Sequence, residues 1–246
     1  MKEGFIAVID SGIGGIAVLR QLALEMPNEN FLYYGDNDNA PYGNKSKREL
    51  KELSIKNLDY ILRYPIKAIV LACNTLSVNV LNDVIEYSGL PVFGVFPPIE
   101  KSVVEGGRTL LLSTVATASC FNSNKWCDVV GFTTLADEIE KNAFNLSDID
   151  FDYCLKNKKV GKVVNKKCHY KTVILGCTHY ELIKNKIADH FCPEKIINGS
   201  FFTVKTVSNF FKNQETLVNH YRNQILFIGK NAKFNELFFN FGGQKD

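Results

Sequence analysis

The stretch VLACNTLS, Val70–Ser77, ends an apolar run on a cysteine and passes at once into Asn and Thr. A short, unbroken apolar run with so abrupt a polar stop reads as a strand buried on both faces, as in parallel sheets. VILGCTHYE, Val173–Glu181, has the same ending, with Thr and His after the cysteine. Working outward from the first stretch, IKAIVLAC (Ile66–Cys73) is the strand itself. Upstream, FIAVID (Phe5–Asp10) is another apolar run, stopped by SGIGG, and IAVLRQLALEM follows as an amphipathic helix ending before Pro27. ENFLYYGD (Glu29–Asp36) is a strand opening into the polar loop NDNAPYGNKS, and a charged helix covers Lys47–Leu62. Downstream, VNVLNDVIEYSG gives a helix with a glycine stop, and LPVFGVF (Leu90–Phe96) a strand closed by Pro97–Pro98. Strands alternating with helices at this spacing predict a parallel sheet covered by helices on both faces.

The pattern then restarts. RTLLLST (Arg108–Thr114) is an apolar run closed by hydroxyl residues, as FIAVIDS is, and KTVILGC (Lys171–Cys177) matches IKAIVLAC. Ser11 and Cys73 are 62 residues apart; Thr114 and Cys177 are 63 apart. Two copies of one α/β half, each presenting a hydroxyl and a cysteine at strand ends, account for this spacing. Between them, Phe121–Lys167 is less regular. Its basic segment KNKKVGKVVNKK (Lys156–Lys167) lacks interleaved aromatics and reads as a solvated face or loop, with no nucleic-acid surface. Near the end, ILFIGKN (Ile225–Asn231) is one more strand and turn, and AKFNELFFNFGG a terminal amphipathic helix.

Composition narrows the class. At 246 residues the chain is one large domain or two small ones. Its 29 basic and 26 acidic residues are too evenly balanced to suggest a nucleic-acid or membrane-surface binder. Seven cysteines, none in CxxC pairs, do not form a disulfide framework, and the start MKEGFIAVIDSG reaches Asp and Gly too soon for a signal peptide. The expectation is a cytoplasmic protein with reduced thiols and no membrane span.

In an open parallel sheet, ligands bind beyond the carboxyl ends of the strands. The polar residues placed there are Asp10, Ser11, Cys73, Asn74, Thr75, Thr114, Cys177, Thr178 and His179. Ser, Asn and Thr, with N–H groups at the following helix starts, suit a carboxylate. The cysteines supply two soft bases, and Asp10 and His179 are placed to orient or polarise them. If the halves face each other, the thiols approach one ligand from opposite sides. That arrangement fits racemisation, in which one base removes a proton and a conjugate acid returns one on the other face. Each sulfur then lies roughly 3–3.5 Å from the reacting carbon, so the pair is about 7 Å apart and is no resting disulfide.

AVIDSGIGGIAVLRQL, YYGDNDNAPYGNKS, ACNTLS and LGCTHYEL together resemble, in order and spacing, the motifs of glutamate racemases within the wider aspartate/glutamate racemase group. The resemblance runs from about Phe5 to Gly199. It implies two pseudo-symmetric parallel-sheet α/β domains facing a central cleft, with neither pyridoxal phosphate nor metal. It further implies a first domain of residues 1–95 plus 205–246 and a second of residues 96–204. Cys73 and Cys177 correspond to the family's catalytic thiols, with Asp10 and His179 beside them. The implied substrate contacts are Asp10, Ser11, Tyr42, Gly43, Asn74, Thr75, Thr178 and His179, and Thr114 and Thr117 join them as candidate binding residues at the end of the matching strand in the second half. The implied partner is glutamate, the implied assembly a homodimer, and the implied product D-glutamate for bacterial peptidoglycan.

The chain departs from that pattern at Glu181, where a proline is usual, at GVFPP in place of GVIEP, and at Ser113 in place of Gly. In VVGFTTLADEIE, Glu140 or Glu138 is the candidate acidic helper. The remaining cysteines, at 120, 127, 154, 168 and 192, read as small core residues, and His169, His190 and His220 as surface or packing residues. Cys168–His169 with Cys177 and His179 matches no common zinc spacing. Asp10 also reads as a cap for a helix beginning near Gly14. Three other functions compete: a related racemase acting on aspartate or another carboxylate, a cysteine hydrolase needing one thiol and His179, and a binding protein without turnover.

Overall fold

The computed structural model describes residues 4–104, 106–156, 169–212, 224–228 and 238. In the first half the order is β1 (Phe5–Asp10), α1 (Ile16–Glu25), β2 (Asn30–Gly35), α2 (Lys47–Ile61), β3 (Ile66–Leu71), α3 (Asn74–Ser88) and β4 (Val92–Gly94). The second half holds α4 (Ile99–Val104), β5 (Thr109–Thr114), α5 (Val115–Ala118), β6 (Cys127–Phe132) and α6 (Leu135–Lys141). It continues through α7 (Phe151–Lys156), β7 (Thr172–Gly176), α8 (Lys184–Phe191) and β8 (Lys195–Asn198). α9 (Ser200–Lys212) and β9 (Ile225–Ile228) return to the first half.

Among the described residues, the strands form two sheets, ordered β4-β3-β1-β2-β9 and β6-β5-β7-β8, with every pairing parallel. Read from its far edge, the second sheet runs β8-β7-β5-β6, which is the first sheet's β4-β3-β1-β2 over again. The spacing repeat in the sequence is therefore a repeat of topology, with β9 added at the edge of β2.

Alternation along β1 explains the two covered faces. Ile6 and Val8 pack with Ile16, Leu19 and Leu22 of α1 and with Val204, Val207 and Phe211 of α9. Ala7 and Ile9 point the other way, toward Leu50, Leu58 and Ile61 of α2 and Val80 and Val84 of α3. Each such aliphatic side chain contributes about 1.5–3 kcal/mol by leaving water. β5 and β7 repeat the scheme, with Leu110, Leu112, Val173 and Leu175 on one face and Leu111 and Ile174 on the other.

Two boundaries differ from the sequence reading. The strand leading to Cys73 stops at Leu71, and α3 begins at Asn74, not at Val78. Apolar periodicity starts only at Val78, but the polar first turn is itself helical, closed by the Ser77 N–H donating to the Cys73 carbonyl at 3.0 Å. Cys73 is thereby the N-cap position of a fifteen-residue helix. The irregular segment after Phe121 contains β6, α6 and α7. Most of the basic segment and nearly all of the terminal helix predicted from AKFNELFFNFGG lie outside the described residues.

α2 starts on a reciprocal cap: Ser46 Oγ accepts from the Glu49 N–H at 3.3 Å while Glu49 Oε2 accepts from the Ser46 N–H at 2.8 Å. Ser46→Ala will lower the melting temperature by about 2–4 °C in a thermal scan.

Candidate active site

Both sheets reverse their strand order beside the first strand of each half, between β1 and β3 and between β5 and β7. The register Ile9↔Leu71 puts the ends of β1 and β3 side by side, and Ser113↔Gly176 does the same for β5 and β7. Such reversal points are where open α/β sheets bind ligands. A cleft lies between the two sets of tips. Ser11, Cys73, Asn74 and Thr75 line it from the first half, and Thr114, Glu140, Cys177 and His179 from the second. Tyr42 and Gly43 come from the loop after β2. Asp10, Thr117 and Thr178 are buried behind this wall.

Each cysteine has its own polar chain. The Cys73 thiol lies 4.0 Å from Ser11 Oγ, which donates to Asp10 Oδ1 at 3.3 Å. Asp10 Oδ1 also accepts from the Gly12 N–H at 3.0 Å, and Oδ2 from the Thr178 hydroxyl at 3.1 Å. Asp10 thus ties the SGIGG turn to the opposite half. It does not cap α1, which starts at Ile16 without a side-chain cap. On the other wall, Cys177 Sγ is 3.7 Å from His179 Nδ1, and His179 Nε2 is 2.6 Å from Glu140 Oε2. Glu140, and not Glu138, is the acid that reaches the histidine. It also accepts from the Ile13 N–H at 3.1 Å and from Asn37 Nδ2 at 2.5 Å, both in the first half.

Hydroxyls meet across the cleft as well. Thr75 Oγ1 is 2.9 Å from Thr114 Oγ1 and 3.2 Å from Thr117 Oγ1, and the Thr114 hydroxyl donates to Thr117 Oγ1 at 3.1 Å. Tyr42 faces inward, its hydroxyl bonded to Asp36 and to Asn57 Nδ2, so it presents its ring and backbone to the cleft. A Cβ at Gly43 would sit 2.6 Å from Thr114 Cβ, so only glycine lets this loop close on the opposite half. Asn74 spends its side-chain amide on the Val95 carbonyl at 2.9 Å.

Burial and charge set the proton affinities. Burial, reinforced by the charge of Asp10, pushes the Cys73 thiol up to about 12, although backbone N–H groups at the start of α3 work against it. Burial also raises Asp10 above its ordinary range, partly offset by the charge of His179. For His179, burial disfavours the cation, but hydrogen bonds to Cys177 and Glu140 outweigh it and raise its proton affinity well above that of a free imidazole. For Glu140, burial pushes upward, and the bonds to His179, Ile13 and Asn37 overcome it and hold the carboxyl below its usual range.

The pair therefore fastens the two halves over a defined pH window. The contribution of Glu140 is present above the ordinary carboxylate range and is lost as pH falls through its lowered value. That of His179 is present below the ordinary imidazole range and is lost as pH rises through its raised value. The melting-temperature gap between wild type and Glu140→Gln will be widest at about pH 5–6 and narrow on both sides. Thermal scans of the two proteins across pH check this.

No family model matches the chain. A curated glutamate racemase from Clostridium botulinum (strain Okra) is 32% identical over 244 residues, spanning 94% of this chain and 90% of the relative. The chain belongs to the glutamate racemase family. The solved glutamate racemase from Bacillus anthracis superposes with a TM-score of 0.80 at 25% identity, covering 100% of this chain and 96% of that one. The Francisella tularensis glutamate racemase, solved in complex with D-glutamate, gives 0.76 at 25% identity, covering 98% and 94%.

Within this racemase fold, the structure brings Cys73 and Cys177 to one cleft and leaves the other described thiols elsewhere. Cys127 and Cys154 are buried as expected, but Cys120 and Cys192 are exposed, because their segments lie at helix ends on the surface. Cys168 and His220 lie outside the described residues. His169 is exposed, whereas His190 is packed against Phe151 and Phe191 and paired with Asp152. Among the described residues, no group of three or more His, Cys, Asp and Glu is placed to hold a metal ion, and no helix is long and apolar enough to cross a membrane. Glu181 accepts from Asn198 Nδ2 at 2.8 Å and lines a second pocket, which shares Asn74 and Cys177 with the first. The sequence reading passed over Asp36, Asn37 and Asn57. For Asp36 and Asn37 the signal is position, since they directly follow β2, the neighbour of β1, and so share its ligand-binding edge; Asn57, inside α2, carries no such signal.

Proposed function

We propose that the protein interconverts L- and D-glutamate without a cofactor, using Cys73 and Cys177 as the two bases. The observation that carries this is the pairing of pseudo-equivalent cysteines on opposite halves of one cleft, each with its own polar chain. One thiolate removes the α-proton and leaves the electron pair on the carbon and its carboxylate; the opposite thiol delivers a proton to the other face. The sulfurs then exchange roles for the return reaction.

The α-proton is far less acidic than a thiol, so the cost falls on the carbanion-like transition state. The Thr75 and Thr114 hydroxyls, braced from behind by that of Thr117, and the N–H groups opening α3 are the donors for substrate carboxylates. His179 places an imidazolium beside Cys177, where a thiolate needs a positive neighbour. Cys73 rests as the thiol, since burial and Asp10 favour its protonated form.

Family membership supports glutamate as the substrate, as does the D-glutamate complex of the Francisella relative. The same reading makes the enzyme a cytoplasmic homodimer that supplies D-glutamate for peptidoglycan. Chiral chromatography after incubation with each hand of glutamate, without added cofactor and with aspartate as control, tests it. Inversion of both glutamates and inert aspartate is the expected result. Inversion of aspartate alone would change the substrate, and no inversion at all would leave a binding protein.

A further inference from the structure

Glu140 stands on α6 in the second half, yet two of its three partners belong to the first. Its Oε2 faces both the Ile13 N–H and His179 Nε2, while its Oε1 is held by Asn37 Nδ2. Asn37 opens a single 3-10 turn, Asn37–Asn39, set directly after β2 and braced by Asn39 Nδ2 on both oxygens of Asp36, at 2.8 and 3.0 Å. Its own Oδ1 is buried with no hydrogen-bond partner among the described residues. A desolvated acceptor of this kind is unfavourable, and turning the amide over would only set it against Glu140 Oε1. The side chain therefore has one workable orientation, with its donor aimed across the cleft. A carboxylate pinned through Oε1 cannot rotate away from the imidazole, and an imidazole pinned at Nε2 keeps Nδ1 toward Cys177.

We propose that Asn37 is a positioning residue for proton transfer at Cys177: it locks the Glu140 carboxylate, and through it the ring of His179. The inference rests on the racemase reading for its kinetic consequence, though not for its structural one. Asn44, in the same loop, supplies the comparison, because it also crosses to the second half but ends on the Thr133 carbonyl at 2.8 Å, away from the histidine.

The experiment compares wild type, Asn37→Ala, Asn37→Asp and Asn44→Ala by NMR titration of His179 and by kinetics in both directions. Racemisation in achiral water has no preferred hand at equilibrium, so kcat/KM falls equally for L- and D-glutamate. Asn37→Ala is expected to lower it by about 10-fold and Asn37→Asp by about 100-fold, within the range for outer partners of a reactive group. The isosteric Asp is the worse replacement because it removes the donor and sets a second carboxylate against Glu140. Its loss is partly reversed as pH falls and the two carboxylates share a proton. His179 will titrate at lower pH in Asn37→Ala than in wild type, and Asn44→Ala will change neither the titration nor the pH profile. An unshifted His179, or Asn37→Ala indistinguishable from Asn44→Ala, overturns the proposal. A shifted His179 in a protein that racemises nothing upholds the lock and removes the racemase reading instead.

Discussion

Cys73→Ser and Cys177→Ser will each reduce glutamate racemisation by about 10³-fold, the scale expected when a positioned acid or base is lost. The fold will survive both changes, because serine is close in size to cysteine and each thiol sits where its core cluster meets the cleft, 6% and 7% exposed. A serine hydroxyl is too weak an acid to be deprotonated by its surroundings and too poor a base to take an α-proton. Inversion needs both sulfurs, but exchange of the α-proton needs only the one that faces it. In heavy water, Cys73→Ser will therefore still exchange the enantiomer whose α-proton faces Cys177, without inverting it, and Cys177→Ser will exchange only the other. NMR of the α-position alongside chiral chromatography reads both. A cysteine hydrolase or single-base enzyme gives a different pattern, in which one of the two substitutions is nearly silent.

Gly14→Ala will lower kcat/KM by about 100-fold in both directions, although Gly14 does not line the cleft. A Cβ there would lie 2.5 Å from Thr178 Oγ1, 2.8 Å from the His179 backbone nitrogen and 2.8 Å from His179 Nδ1. The SGIGG turn of the first half is seated directly on the THY segment of the second, and a methyl group would wedge them apart. Catalytic groups displaced by about 1 Å cost about 10²-fold. A hydroxyl or an imidazole can turn aside, but a backbone nitrogen cannot, so the segment carrying Cys177, Thr178 and His179 must move as a unit. Kinetics with both hands, together with a melting curve to confirm folding, check the prediction. A variant with wild-type kcat/KM would show that the halves have slack at this seam.

The architecture was legible because strands and helices announce themselves separately here. The paired spacing of hydroxyl and cysteine anticipated a repeat that the strand orders display. What the pattern could not carry was anything depending on contact between the halves. Glu140 and Glu138 lie on the same short helix with similar flanks, and only the fold shows which one meets His179. Asn37 looked like one more loop residue in NDNAPYG because its partner is 103 positions away. The start of α3 was hidden for a different reason. Asn74, Thr75 and Ser77 are polar yet buried, so the first turn has no apolar period to read.

The most direct test of the two-thiol account is a single-turnover reaction of L-glutamate with wild-type protein in heavy water, stopped early and resolved by hand. Because the proton removed on one face and the proton added on the other sit on different sulfurs, the D-glutamate formed should carry an α-deuteron from the first turnover. D-glutamate that keeps the original α-protium would mean that one base carried the proton across, and would contradict the account.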